Sequence, residues 1–268
     1  MLEEHLARWG LQPDGAAITT HSADLLPVRW CGPRGILPAM LKVAHAAEER
    51  RGPLMRWWGG DGAAHVLTHD GDAMLMERAT GTGSLAALAH GGEDDEASRI
   101  LCAVAARLHA PRARPLPPDL IPLHRWFADL LPAASHHGGT LALAAETARS
   151  LFTDPQEPVV LHGDLHHGNV LDFGARGWLA IDPKGLIGER GFDFANIFCN
   201  PDAAIATAPG RLARQVGVVA EAARLDRARL LQWIIAYAGL SAAWHLDDGD
   251  TASAKLPLTV AEIAMALA

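Results

Sequence analysis

The sequence predicts an α+β protein in which a small antiparallel sheet comes first and helices dominate the remainder. Three observations carry this. Residues 16–30 and 36–44 are apolar-rich runs divided by the turn Cys31-Gly32-Pro33-Arg34-Gly35, a hairpin pattern. Residues 64–68 and 73–77 repeat that pattern around Thr68-His69-Asp70-Gly71-Asp72, where Asp-Gly is a strong turn signal. Beyond about residue 80 the apolar spacing becomes helical: Leu101, Val104, Ala105 and Leu108 mark one face of a helix near 94–110.

The elements follow in order. A helix-like segment rich in Ala, Glu and Arg, Ala46 to Trp58, separates the two hairpins. The first part therefore reads β-β-α-β-β, with room for one more strand at its start. Gly81-Thr82-Gly83 follows as a link, which gives an expected division into 1–79 and 80–268. A proline-rich connector at 111–118 ends the 94–110 helix. Leu123–Leu131 and Leu141–Phe152 read as helices stopped by Pro132 and Pro155. Val159-Val160-Leu161 is a short β run. Val170-Leu171 and Trp178–Ile181 flank the turn 172–177 and make a third hairpin. Helices return near 209–223, 226–246 and 258–268.

Composition narrows the function. The 268 residues are 49% hydrophobic, enough for a buried core and unlike a disordered chain. The net charge is −8, with no basic stripe, so no nucleic-acid partner is expected. Cys31, Cys102 and Cys199 are few and far apart, with no Cys-x-x-Cys, which suggests neither a zinc ribbon nor a disulfide framework. The first residues, MLEEHLARWG, lack an apolar signal region, and no long uncharged apolar stretch exists. The expectation is a soluble, cytoplasmic protein with no membrane association and no protein partner implied.

His162-Gly163-Asp164-Leu165-His166-His167-Gly168-Asn169 follows the 159–161 run. An aspartate five residues before an asparagine is the register of the kinase catalytic loop His-Arg-Asp-Leu-x-x-x-Asn. Phosphoryl transfer explains the spacing. Asp164 would meet the attacking hydroxyl and accept its proton, while Asn169 would offer an amide oxygen to Mg²⁺ beside the phosphates of ATP. A second, anionic metal ligand is then required.

Two aspartates compete for that place. Asp172 opens a literal Asp-Phe-Gly but lies inside the turn of the third hairpin, away from Asn169. Asp182 follows the return strand Trp178–Ile181, which brings the chain back beside Asn169. The reading assigns the metal to Asp182 and leaves Asp172 to turn chemistry.

Leu161–Val170, Gly177–Glu189 (GWLAIDPKGLIGE), Phe192–Phe198 and Leu240–Trp244 together resemble the aminoglycoside phosphotransferases, and most the streptomycin 6-kinase or aminoglycoside/hydroxyurea branch. The resemblance implies a protein-kinase-like two-lobed fold using ATP and Mg²⁺, with Asp164 as base and Asn169 and Asp182 as metal ligands. It implies that Asp193 braces the catalytic loop; a helix N-cap is the other reading of that residue. Pro38–Val43 fits the kinase strand Val-Ala-Ile-Lys, whose lysine, here Lys42, pairs with the α- and β-phosphates. Its acidic partner would be Glu49 or Glu48, with Glu49 preferred because Glu-x-Arg-Gly resembles the branch. The nucleotide loop would lie near 21–26, without the usual glycines. Backbone groups of Glu77 and Ala79 in the link would bond adenine.

The segment from Asp182 to Asp193 is short and carries no Ser, Thr or Tyr, which favours a small hydroxyl acceptor over a peptide. The acidic balance suits a cationic acceptor or is the mild acidity common in cytosolic proteins, and the resemblance implies a sugar-like acceptor, with streptomycin the named expectation. Asp247, Asp248 and Asp250 form an acidic patch that either meets that acceptor or is a solvated loop. Lys184 either helps neutralise phosphate or is a solvated loop lysine. The rivals are a kinase of another small hydroxylated metabolite, a silent kinase-like binding protein, and a metal hydrolase using His162, Asp164, His166 and His167.

Overall fold

The computed structural model describes residues 2–33, 35–46 and 52–268. Helix α1 (Leu2–Trp9) precedes two short strands, β1 (Gln12–Pro13) and β2 (Ile18–Thr19). The long hairpin β3 (Ala23–Gly32) and β4 (Gly35–Ala44) follows, then α2 (Gly52–Trp58), β5 (Val66–Asp70) and β6 (Ala73–Glu77). They form one antiparallel sheet in the order β1-β3-β4-β6-β5, with β2 also paired to β3. The strand expected at the start is β1, preceded by a helix that the sequence reading did not anticipate, and the expected 16–30 run is divided into β2 and β3 by a turn at 20–22. Residues 47–51, with Glu48 and Glu49, lie outside the described residues, so only the second half of the 46–58 helix can be compared.

Strand alternation decides what each sheet face does. Leu41 and Val43 point to one side with Ala39, Leu75 and Val28, and pack with Leu11 and the apolar residues of α1. Lys42 lies between them in sequence and therefore faces the other way. Its cross-strand partners are Leu25 and Met74, and Met40 pairs with Met76. Met74 and Met76 belong to the main core, which continues into the helices. A one-residue slip would put Lys42 under α1 and Leu41 in the cleft, so burial fixes the register.

The rest is mostly helical: α3 (Leu85–His90), α4 (Asp94–His109), β7 (Ile121–Pro122), α5 (Leu123–Trp126), α6 (Leu130–His137) and α7 (Gly139–Thr153). Then come β8 (Pro158–Leu161), the hairpin β9 (Val170–Asp172) and β10 (Trp178–Ala180), β11 (Leu186–Glu189), α8 (Phe192–Ala195) and α9 (Ala203–Ala206). Helices α10 (Arg211–Ala223), α11 (Arg227–Asp247) and α12 (Thr251–Met265) complete it. Pro132 and Pro257 sit inside helices rather than ending them. Pro132 falls in the first turn of α6, where its missing N–H has no helical acceptor to lose. Pro257 is buried inside α12, and packing of that helix on α11 carries it through the break.

Helix α4 starts with an acidic run, but Asp94 does more than meet a helix dipole. It is buried and accepts two bonds from Arg211 of α10, at 2.9 and 3.0 Å, and one from Gln215 at 2.7 Å. Burial alone would raise its pKa, yet the Arg211 guanidinium holds it below the ordinary carboxylate range. Breaking a buried pair by removing one charge costs about 3–5 kcal/mol. Asp94→Asn should therefore lower the urea-unfolding free energy at pH 7 by that order. Because the folded carboxyl is the more acidic, the contribution in the parent protein is complete above the unfolded pKa of about 3.9 and disappears as the pH falls through the folded value. The difference between parent and Asp94→Asn should shrink accordingly below about pH 4.

Candidate active site

The site is built where β8, the loop after it and the β9–β10 hairpin meet the face of the sheet that carries Lys42. Strand β8 pairs with β11, Leu161 opposite Leu186. Two main-chain bonds then fasten the loop to the segment after β10. Ile181 N–H donates to the Asn169 carbonyl at 2.9 Å, and Lys184 N–H donates to the His162 carbonyl at 2.7 Å. Asp182 and Pro183 are held between these ties, so they lie across the loop. Asp182 has φ +58°, a left-handed conformation that Asp tolerates better than most residues.

The Asp182 carboxylate is hydrogen-bonded to the Lys42 ammonium, joining sheet and loop across the cleft. Burial would raise the Asp182 pKa; the charge of Lys42, its hydrogen bond and the charge of Lys184 bring it below the usual range. Asp164 sits between two amides. Asn169 Nδ2 donates to its carbonyl at 2.9 Å and to Oδ2 at 3.1 Å, and Asn196 Nδ2 donates to Oδ1 at 2.8 Å. With its amide nitrogen so engaged, Asn169 keeps Oδ1 unbonded among the described residues. That oxygen and the Asp182 carboxylate are two hard ligands suited to Mg²⁺, which takes one or two protein oxygens and completes its shell with phosphate and water.

The loop is pinned from below by Asp193 at the start of α8. Its carboxylate is fully buried and accepts from His162 N–H at 2.8 Å, Gly163 N–H at 2.7 Å and His109 Nε2 at 2.7 Å. Burial pushes its pKa up, but the bond and charge of His109 outweigh this and keep it ionised. The bracing reading of Asp193 is what the geometry contains. His162 bridges Ile181 O at 2.8 Å and Asp164 N–H at 3.2 Å, so both ring nitrogens are engaged, and burial holds it neutral. Its ring stacks on Trp58 with centroids 6.3 Å apart.

His167 is turned into the interior near Asp94 and Arg211, and burial pushes its pKa down to about 4. The four candidate ligands of a metal hydrolase do not converge, and no group of three or more His, Cys, Asp or Glu side chains that could hold a metal occurs among the described residues.

In the link, Glu77 N–H is bonded to the His65 carbonyl at 2.9 Å. Its carboxylate accepts from His65 N–H and takes Arg176 at 2.8 and 3.0 Å. Ala79 N–H donates to no group among the described residues and is available to a ligand. The turn at 20–22 joins β2 to β3 and overlaps the start of the expected nucleotide loop, 21–26, whose remainder lies in β3. Asp172 is not beside Asn169. Its carbonyl accepts from Gly81 N–H at 3.0 Å, and its carboxylate from Gly83 and Gly174 N–H at 3.0 and 2.8 Å. A Cβ on Gly81 would fall 2.0 Å from the Asp172 carboxylate carbon, so glycine is what allows the close approach. The literal Asp-Phe-Gly is therefore a brace for the link.

Asp247 and Asp250, two residues of the acidic patch, have different surroundings. Asp250 caps α12 by accepting from Ser253 N–H at 3.0 Å. Asp247 lines a surface cavity of about 370 Å³ with Asp129, His136 and His137, among residues of α6 and α11.

Comparison with known proteins decides the family. The family model for aminoglycoside/hydroxyurea antibiotic resistance kinases matches residues 8–249. The chain belongs to that family. It is 53% identical to a streptomycin 3''-kinase of Klebsiella pneumoniae, over 97% of this chain and 98% of the relative. It is 33% identical to a streptomycin 6-kinase of Streptomyces griseus, over 95% of this chain and 85% of that one. Among solved structures, the apo form of a thermostable mutant of the aminoglycoside phosphotransferase APH(4)-Ia shares the fold, with TM-score 0.68, 16% identity and 98% of each chain covered. The kinase-like α+β architecture and the resemblance seen in the sequence are both borne out, and the protein is a small-molecule kinase.

Two polar residues of this kinase escaped the sequence reading. Asn196 bonds Asp164, and Asn200 Nδ2 donates to Asn196 Oδ1 at 2.9 Å, which fixes the amide with its nitrogen toward the carboxylate. The four-residue spacing of Asn196 and Asn200 after Asp193 was the available signal. Asn196→Ala should cut kcat on the order of 10- to 10²-fold through a misplaced carboxylate, with the KM for ATP little changed. Asp193→Asn should lower both kcat and the melting temperature, because two buried N–H groups lose a charged acceptor. Steady-state kinetics and thermal melts check both.

Proposed function

We propose that the protein transfers the γ-phosphoryl group of Mg·ATP to a hydroxyl of streptomycin, and specifically to the 3'' position. What supports streptomycin is the 53% identity, over nearly the whole of both chains, to a protein named for that activity. The choice of 3'' over 6 rests on the gap between 53% and 33% identity. The single structural observation that carries phosphoryl transfer is the meeting of Asp164, Asn169, Asp182 and Lys42 around one cleft.

In this reading Asp164 receives the acceptor's proton as its oxygen attacks phosphorus. The two amides from Asn169 and Asn196 hold the carboxylate so that one oxygen edge faces the hydroxyl. Asn169 Oδ1 and the Asp182 carboxylate hold Mg²⁺, which when bound neutralises developing phosphate charge. Lys42 leaves Asp182 for the α- and β-phosphates, and Glu49 or Glu48 steadies it there. The carbonyl of Glu77 and the free N–H of Ala79 receive the adenine edge. Residues 1–79 act as the nucleotide lobe, and 80–268 carry the base and the acceptor site.

Mass spectrometry of streptomycin after incubation with the protein and Mg·ATP should find one added phosphate, and NMR should place it at the 3'' carbon. Absence of any phosphorylated product would refute the substrate, and phosphorylation at the 6 position would refute the regiochemistry. Asp182→Asn should reduce turnover by about 10³-fold or more. Asp172→Ala should leave kcat within a few-fold while costing about 1 kcal/mol of stability from its lost link bonds. Equal loss of kcat in the two variants would overturn the metal assignment.

A further inference from the structure

The ammonium of Lys184 is held over the base without being bonded to it. Lys184 Nζ lies 3.9 Å from Asp164 Oδ2, too far for a hydrogen bond, and its side chain is 22% exposed. It donates to no acceptor among the described residues, so all three of its N–H groups are unused. Its backbone is fixed by the bond from Lys184 N–H to the His162 carbonyl. Its stem lies against Gly163, which sits at φ +86°; a Cβ there would come 3.0 Å from Lys184 Cβ and 2.9 Å from Leu186. The glycine before the catalytic aspartate thus makes the room in which Lys184 crosses the loop.

The charges around it are few. Asp164 and Asp182 face it from the loop and from its own segment, and His166, with Nε2 3.7 Å from Asp164 Oδ1, is held neutral chiefly by burial. Lys42 is engaged with Asp182. No arginine among the described residues pairs with Asp164 or Asp182. The described arginine–carboxylate pairs go to Asp14, Asp61, Asp70, Asp94, Asp95, Glu4, Glu77, Glu157 and Glu189. Lys42 and Lys184 are therefore the fixed cations that the described residues bring to the cleft. Lys42 enters from the sheet side, toward the nucleotide; Lys184 lies at the carboxylate that faces the acceptor.

We propose that Lys184 is a catalytic residue of the phosphoryl transfer, its ammonium contacting the equatorial oxygens of the phosphoryl group as it passes between ATP and the acceptor. This rests on the kinase reading above but not on the identity of the acceptor. The acceptor oxygen forms its bond to the γ-phosphorus, and its proton goes to Asp164. The bond from that phosphorus to the β,γ-bridging oxygen breaks, and the electron pair stays on the β-phosphate of ADP. Charge on the equatorial oxygens is met by Lys184, three free donors on a restrained stem. An ammonium placed where charge accumulates acts on the transition state more than on bound ATP.

The test pairs kinetics with a binding measurement that needs no turnover. Lys184→Gln should lower kcat by about 10²-fold with the KM for ATP changed little. Lys184→Arg, which keeps the charge, should recover most of that loss. In calorimetry, Mg·ADP should bind Lys184→Gln and parent with the same affinity. The extra tightening produced by aluminium fluoride, a mimic of the transferring phosphoryl, should fall at least tenfold in Lys184→Gln. A kcat within threefold of the parent, or undiminished tightening by aluminium fluoride, would overturn the proposal. If the parent fails to phosphorylate streptomycin, the substrate reading falls, while the fluoride titration still reports on the lysine.

Discussion

Two main-chain hydrogen bonds set the geometry on which the rest depends. Ile181 N–H to the Asn169 carbonyl and Lys184 N–H to the His162 carbonyl lash the segment after β10 across the 162–169 loop at both of its ends. Side chains at 164, 169, 182 and 184 then converge without any one of them having to reach far. The hairpin β9–β10 supplies the first tie because its register, Val170 opposite Ala180, returns the chain beside the residue that precedes it. The β8–β11 pairing supplies the second.

Around that frame the polar groups are arranged so that each carboxylate has a distinct environment. Asp193 is fully buried with charge-assisted partners and serves the backbone. Asp182 is half-buried against a cation from the sheet. Asp164 stays partly open, oriented by neutral amides that leave it an acceptor toward the cleft. Fixed dipoles and charges of this kind need no rearrangement when charge develops in the reaction, which is where electrostatic catalysis gains its magnitude. In the proposed reaction the Lys42–Asp182 bond would exchange for nucleotide and metal contacts; here the two side chains hold each other in place.

Much of this was legible in the sequence because it depends on local periodicity. Asp-Gly and Gly-Pro turns located the hairpins, and Lys42 stood out as a charge within an apolar strand. That Asp182, and not Asp172, returns beside Asn169 followed from hairpin geometry alone. What escaped depends on contacts far apart in the chain. Asp94 looked like a helix-start acid because its partner, Arg211, is 117 residues away. Asn196 carried no motif, since a single amide is informative only once its neighbour is known. Helix α1 is short and covers a sheet face that exists only after the strands have paired. The acidic residues near 247–250 read as a patch in one dimension; in three, one caps a helix and another lines a surface cavity with Asp129 and two histidines.

The most direct test of the central claim is titration of ADP into the protein with and without Mn²⁺, followed by the metal's EPR signal, in the parent, Asp182→Asn and Asp172→Asn proteins. A carboxylate at 182 carried over the loop to the Asn169 amide oxygen predicts that Asp182→Asn loses the metal-dependent gain in nucleotide affinity and the protein-bound Mn²⁺ spectrum. Asp172→Asn should keep both. A full metal-dependent gain in Asp182→Asn, or its loss in Asp172→Asn alone, would contradict the account.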